Sequence, residues 1–77
     1  MLPEAEDTAQ VILNASVFVA CAFRGRGRYE RAVCITLDEA RAAAARMYRG
    51  RPVGVYAVAF NHAGATKRER HVENYPP

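Results

Sequence analysis

The chain has no tryptophan, only two cysteines and no apolar run long enough to span a membrane. Its longest apolar stretch, residues 11–23, is interrupted by Asn14 and Ser16, whereas a membrane helix needs about 20 apolar residues in succession. A secretory leader would begin with basic residues, but Glu4 and Glu6 lie at the start of this chain. We therefore expect a protein without a membrane segment that works in the cytoplasm.

The composition leaves room for one small domain of 77 residues. A domain of this size buries only about 60% of its unfolded surface, so it is marginally stable unless a metal, a disulfide or a partner contributes. Polarity divides the chain into a flexible acidic segment over residues 1–9, a folded domain over residues 10–60 and a polar tail over residues 61–77. We expect a protein partner, and a homodimer is one form that this association can take.

A β-hairpin is predicted from residues 17–23 and 29–36, which are rich in β-branched and aromatic residues and are separated by glycines. A three-residue loop, residues 25–27, places apolar side chains on one face, whereas a slip of one residue would mix the two faces. This register pairs Phe23 with Tyr29, and Gly27 supplies a positive φ. We expect that face to form the core, with Arg31 as its one charge.

The opposite face of the hairpin is more apolar than a solvated sheet face should be. It carries Phe18, Ala20, Ala22, Ala32 and Cys34. This second face is therefore a candidate contact surface for a partner, with Phe18 and Cys34 among its contact residues.

A helix is predicted to begin at Thr36, because Thr36 and Glu39 have the spacing of a capping box. Its apolar side carries small alanines that allow a close approach to the sheet. The apolar segment 53–60 follows as a strand. The predicted fold is α+β, with a small antiparallel sheet in ββαβ order and one helix packed on one face.

The arginine-rich segment 23–29 is the most unusual feature of the sequence. Arg24, Arg26 and Arg28 project from the predicted hairpin tip between two aromatic residues, and Arg31 follows on the second strand. Arginines bind phosphates in nucleic acids and also act as anchors in protein interfaces. These four arginines are candidate partner-binding residues in both cases, and the net charge of +3 is compatible with an anionic partner, although many small proteins carry such a charge for solubility alone.

Metal and catalytic sites are weakly supported. A structural zinc site needs four ligands, and the chain offers four candidates, Cys21, Cys34, His62 and His71. Their spacing does not match that of a zinc site, and the predicted register puts the two cysteines on opposite faces. His62 and His71 are the candidate acid and base of a small ribonuclease, but both fall in the predicted tail, where no fixed geometry is expected. We therefore expect no enzyme, no metal and no cofactor.

The hairpin of Val17–Thr36 followed by the helical segment TLDEARAAAARM resembles the layout of HicB-type antitoxins, and the resemblance covers residues 17–60. In size and architecture the chain is also similar to small phage-borne inhibitors such as anti-CRISPR proteins. Both resemblances imply a non-enzymatic protein that occupies a partner surface. Nucleic-acid binding through the arginine hairpin is the first alternative, and a small ribonuclease is the second.

Overall fold

The computed structural model describes residues 8–60 and 63–77, which form a four-stranded antiparallel sheet with two helices. The elements follow in the order α1 (Thr8–Leu13), β1 (Val17–Phe23), β2 (Tyr29–Cys34), α2 (Leu37–Met47), β3 (Val53–Phe60) and β4 (Thr66–Tyr75). The predicted α+β class is confirmed, and α1 and β4 are added to the ββαβ order. Neither α1 nor α2 has the length and apolar character that a membrane crossing requires.

The hairpin of β1 and β2 has the predicted register. Phe23 pairs with Tyr29, and Gly27 has a φ of 72°. The backbone N–H of Arg24 donates to the carbonyl of Arg28 at 2.9 Å and closes the loop over residues 25–27. The apolar pattern of the two strands, together with the glycines of the loop, was therefore a sufficient signal for the turn.

Helix α2 begins at the predicted cap. The backbone N–H of Glu39 donates to Thr36 Oγ1 at 3.1 Å. The Glu39 carboxylate reaches back to the N–H of Ile35 at 3.2 Å, one residue before the expected position. At the other end of α2 the guanidinium of Arg24 donates to the carbonyl of Met47 at 2.7 Å, so a hairpin arginine helps to terminate the helix.

Strands β1 and β3 are the inner strands, because the order across the sheet is β2-β1-β3-β4. The segment Val53–Phe60 forms β3 with the predicted bounds. Its neighbours on both sides are antiparallel to it. The apolar character of both faces of this segment fits its inner position.

Strand β4 corrects the prediction of a polar tail over residues 61–77. Ten of these residues, Thr66–Tyr75, form an edge strand, and eight of the ten pair with residues of β3. Charged side chains are common on edge strands because one side of the strand faces solvent, so polarity did not exclude this structure. The register shifts between Val55 and Tyr56 and between Ala59 and Phe60, and Val72 and Tyr75 pack against the core. Of the predicted flexible segment 1–9, only Thr8 and Ala9 lie in the described residues, where they begin α1.

Both helices lie on one face of the sheet, and it is not the face predicted to be the core. Phe18 and Ala20 are 6% and 0% exposed beneath α2. The core cluster consists of Val11, Phe18, Ala20, Ala22, Ala40, Ala43, Ala44, Met47, Val53, Val55 and Ala57. Alanines on both the helix and the sheet bring the two layers close together, which increases packing. We call this side of the sheet the covered face and the other side the open face.

An ion pair between Arg41 and Glu73 connects α2 to β4 on the covered face. Arg41 donates from Nη2 to Glu73 Oε1 at 2.8 Å and from Nε to Oε2 at 3.1 Å. The hydrogen bonds and the charge of Glu73 raise the pKa of the Arg41 guanidinium above its ordinary value. This bidentate ion pair stabilises β4 in its position at the edge of the sheet.

Candidate functional site

The open face is the most distinctive surface of the described chain, because it is largely apolar and no helix covers it. Its side chains come from all four strands. They are Val17, Val19, Cys21 and Phe23 from β1, Tyr29, Arg31 and Val33 from β2, Gly54, Tyr56, Val58 and Phe60 from β3, and Glu69, His71 and Asn74 from β4. A sheet face in contact with water normally carries alternating polar residues. This face is therefore suited to contact another surface.

A shallow apolar hollow of about 200 Å³ lies within the open face. Val19 and Val58 lie at its base and are 7% and 6% exposed, since neighbouring side chains shield them. Val33 and Phe60 border the hollow and are 70% and 40% exposed. A partner that covers the hollow would remove these two side chains from water, which stabilises the contact.

Two opposite charges border the same hollow. Arg31 belongs to β2 and Glu69 to β4, so the charges lie on the two edge strands of the sheet. The ion pairs found in residues 8–60 and 63–77 involve neither of them. Arg31 was predicted to be a charge within the core, and this is wrong, because α2 covers the other face. Its predicted role as a partner contact is compatible with its exposed position.

A polar group lies near one end of the open face. The ring of Tyr56 lies over Gly54, where an added Cβ would come within 2.8 Å of the ring. Tyr56 and His71 make a T-shaped contact at 5.3 Å, and His71 Nε2 lies 2.8 Å from Asn74 Oδ1. His71 is thus held in a strand rather than in a tail. The other candidate ribonuclease residue, His62, lies outside the described residues.

Phe18 is not on an available surface, and this corrects its prediction as a partner contact, whereas Cys34 keeps partial exposure on the same side of the sheet. Phe18 belongs to the core cluster, and Cys34 is partly buried against it. Their side of the hairpin is unusually apolar in the sequence, and in the structure α2 covers that side. The exposed apolar side of the hairpin is the one that carries Val33.

The three arginines of the hairpin tip have different environments. Arg24 is bound to Glu30 at 2.7 Å and to the carbonyl of Met47, so it has a structural role. Arg26 and Arg28 are exposed at the turn. The tip therefore presents two of the three predicted arginines to solvent.

A second hollow lies beside the hairpin tip and is strongly basic. Its volume is about 440 Å³, and it is lined by Phe23, Arg24, Gly25, Glu30, Arg49 and Arg51. The guanidinium of Arg51 lies 5.3 Å from the centre of the Phe23 ring, a cation–π arrangement. We call this surface, together with Arg26 and Arg28, the basic end of the molecule.

The cysteines do not form a joint site. Cys21 lies on the open face and Cys34 on the covered face, so the predicted opposite orientation is confirmed, and both thiols are free. Within residues 8–60 and 63–77, no group of three or more His, Cys, Asp or Glu side chains is arranged to hold a metal ion.

From the sequence alone, the open-face valines and Phe60 are expected in the core or in an inner strand rather than on a contact surface. Glu69 is expected in the polar tail. The available signal was that both faces of the hairpin and of segment 53–60 are apolar, although one short helix cannot cover two faces. That excess of apolar sheet surface is the feature that predicts an exposed face.

Comparisons with protein-family models, with curated proteins and with solved structures found no match for this chain.

Proposed function

We propose that this chain is a small protein-binding module without catalytic chemistry, and that the open face is its contact surface. The observation that supports this proposal is the uncovered apolar hollow, with Val33 at 70% exposure beside the shielded Val19 and Val58. Exposed apolar patches rimmed by polar residues are typical of protein interfaces. An inhibitor or an antitoxin that acts by covering a partner belongs to this functional class.

The free cysteines support a proposed cytoplasmic location. Cys21 is partly exposed on the contact surface, and Cys34 lies on the other side of the sheet. Small domains from oxidising compartments usually contain disulfides, and unpaired thiols are typical of a reducing compartment. The location is tested by imaging the tagged chain in the cells that produce it.

The proposal is tested by placing a photo-crosslinking amino acid, p-benzoylphenylalanine, at position 33 in those cells. Position 42 is the control, because Ala42 is exposed on the outer side of α2 and not on the open face. We expect a discrete protein adduct from position 33, identified by mass spectrometry, and none from position 42. Equal adducts from both positions, or no adduct from position 33, would contradict a protein contact on the open face.

Nucleic-acid binding at the basic end is a second candidate, favoured by the exposed Arg26 and Arg28 and by the basic hollow that contains Arg49 and Arg51. Affinity for a short DNA or RNA duplex should fall steeply with salt, and each lost phosphate contact should lower the slope by about 1. We compare Arg28→Ala with Arg70→Ala, which has the same net charge but lies on β4, at the other edge of the sheet. An equal slope for both variants would exclude the basic end as the binding site.

A further inference from the structure

We infer that the occupant of the open face is a second copy of this chain, packed sheet against sheet. This inference rests on the proposed function and names the partner. The two exposed charges that border the hollow have opposite signs, Arg31 on β2 and Glu69 on β4. A surface with one charge of each sign on opposite edges is complementary to itself. In a two-fold symmetric contact, Arg31 of each copy meets Glu69 of the other.

The positions of the two charges determine the crossing of the sheets. Arg31 is level with Cys21 of β1, and Glu69 is level with Val17 through its pairing with Val58. The charges are separated by three strand spacings, about 14 Å, across the sheet and by four residues, about 13 Å, along it. A two-fold axis that exchanges them lies at about 45° to the strands. The strands of the two copies then cross at about 90°, which is the orthogonal class of sheet packing.

The hollow suits this arrangement because its apolar lining lies between the two charges. Val33 and Phe60, at 70% and 40% exposure, would be covered by the same residues of the second copy. Two such ion pairs at the rim set the orientation, and the apolar centre supplies most of the affinity.

The size of the face predicts a weak dimer. Four strands and five residues per strand cover roughly 19 Å by 17 Å, which is roughly 300 Å² of projected surface per copy. A pair of this size lies at or below the about 1,000 Å² of total buried surface at which stable interfaces begin. We therefore expect dissociation constants between about 1 µM and 1 mM, a range that requires measurement at high protein concentration.

A charge-exchange experiment tests the inference. The molar mass is measured by light scattering over a concentration series for the wild type, for Arg31→Glu, for Glu69→Arg and for an equal mixture of the two variants. We expect the wild type to approach twice 8.5 kDa. Each variant alone should associate about tenfold more weakly because it brings like charges together. The mixture should recover association, since both contacts then join opposite charges.

The apolar centre is tested separately with Val33→Asp and with Leu13→Asp as its control. Val33 and Leu13 are 70% and 75% exposed, so neither substitution disturbs the core, and circular dichroism checks that both variants are folded. We expect only Val33→Asp to weaken the dimer, by about tenfold or more. Equal association of the two variants would overturn the inference.

Two further outcomes would also overturn it. One is a wild type that remains monomeric up to about 1 mM, beyond the expected range of dissociation constants. The other is a mixture of the charge variants that stays as weakly associated as its components. The crosslinking experiment at position 33 then distinguishes a failure of the dimer inference from a failure of the proposed function. An adduct with a different protein would leave the proposed function standing, and the absence of any adduct would contradict both.

Discussion

The assignment of the covered and open faces can be tested by one pair of matched substitutions, Phe18→Ala and Phe60→Ala. Both remove the same phenyl group from an inner strand. Phe18 is 6% exposed beneath α2, whereas Phe60 is 40% exposed at the end of β3. The two substitutions should therefore differ in their effect on the free energy of unfolding, although they are chemically identical.

The expected magnitudes follow from burial. Phe18→Ala leaves a cavity between the sheet and α2 and should cost about 3–5 kcal/mol. The whole domain has an expected stability of only about 4–12 kcal/mol, so this variant should be largely destabilised. Phe60→Ala removes a side chain that is partly solvated already, and it should cost about 1–2 kcal/mol. For a domain of this size, the Tm should fall by at least about 12 °C for Phe18→Ala and by clearly less for Phe60→Ala.

The assay is urea and thermal unfolding followed by circular dichroism. The measurements are made at low protein concentration and repeated at a tenfold higher one, because dimer formation would add a concentration-dependent contribution from the open face. A cost for Phe60→Ala equal to or greater than that for Phe18→Ala would refute the reasoning, since it would mean that the helix side of the sheet had been assigned incorrectly.

Three smaller predictions concern the scaffold. Thr36→Ala should lower the free energy of unfolding in urea by about 1 kcal/mol, because the capping hydrogen bond of 3.1 Å is lost. Thr36→Ser should retain the stability, and an equal loss in both variants would exclude a capping role. Arg24→Ala should cost about 1–2 kcal/mol through the lost bond to the carbonyl of Met47, whereas Arg26→Ala at the exposed turn should leave the Tm unchanged. Glu73→Gln should lower the Tm at low salt, because the ion pair with Arg41 is lost. The difference in Tm from the wild type should shrink at about 1 M salt, where the screening length is about 3 Å. A salt-independent difference would argue against a contribution from the charge of Glu73.

The hairpin and its neighbours could be read from the sequence because their signals are local. The apolar pattern on both sides of Arg26 selects a three-residue loop, its glycines allow the turn, and the loop determines which residues pair across the strands. The Thr36 hydroxyl lies three residues from Glu39 along the chain, and this spacing alone predicts the cap. Strand β3 was recognised because its apolar run matches the length of an inner strand.

Strand β4 could not be read in the same way. Its residues are charged on both sides, and nothing in their spacing distinguishes an edge strand from a solvated tail. The strand is held by backbone hydrogen bonds to β3 and by the contact of Glu73 with Arg41, which is 32 residues away in the sequence. Such long-range contacts leave no periodic signal in the segment itself.

The sequence by itself determined the α+β class, the hairpin register, the start of α2 and the excess of apolar sheet surface. Only the tertiary structure decided which sheet face the helices cover. The alternation of side chains along a strand shows which residues share a face. It does not show which face is buried when both faces are apolar. The choice was made by the fit between α2 and the sheet, since the alanines of α2 pack closely on Ala20 and Ala22. That packing left Val33, Arg31 and Glu69 exposed, and it thereby created the surface to which we assign the function.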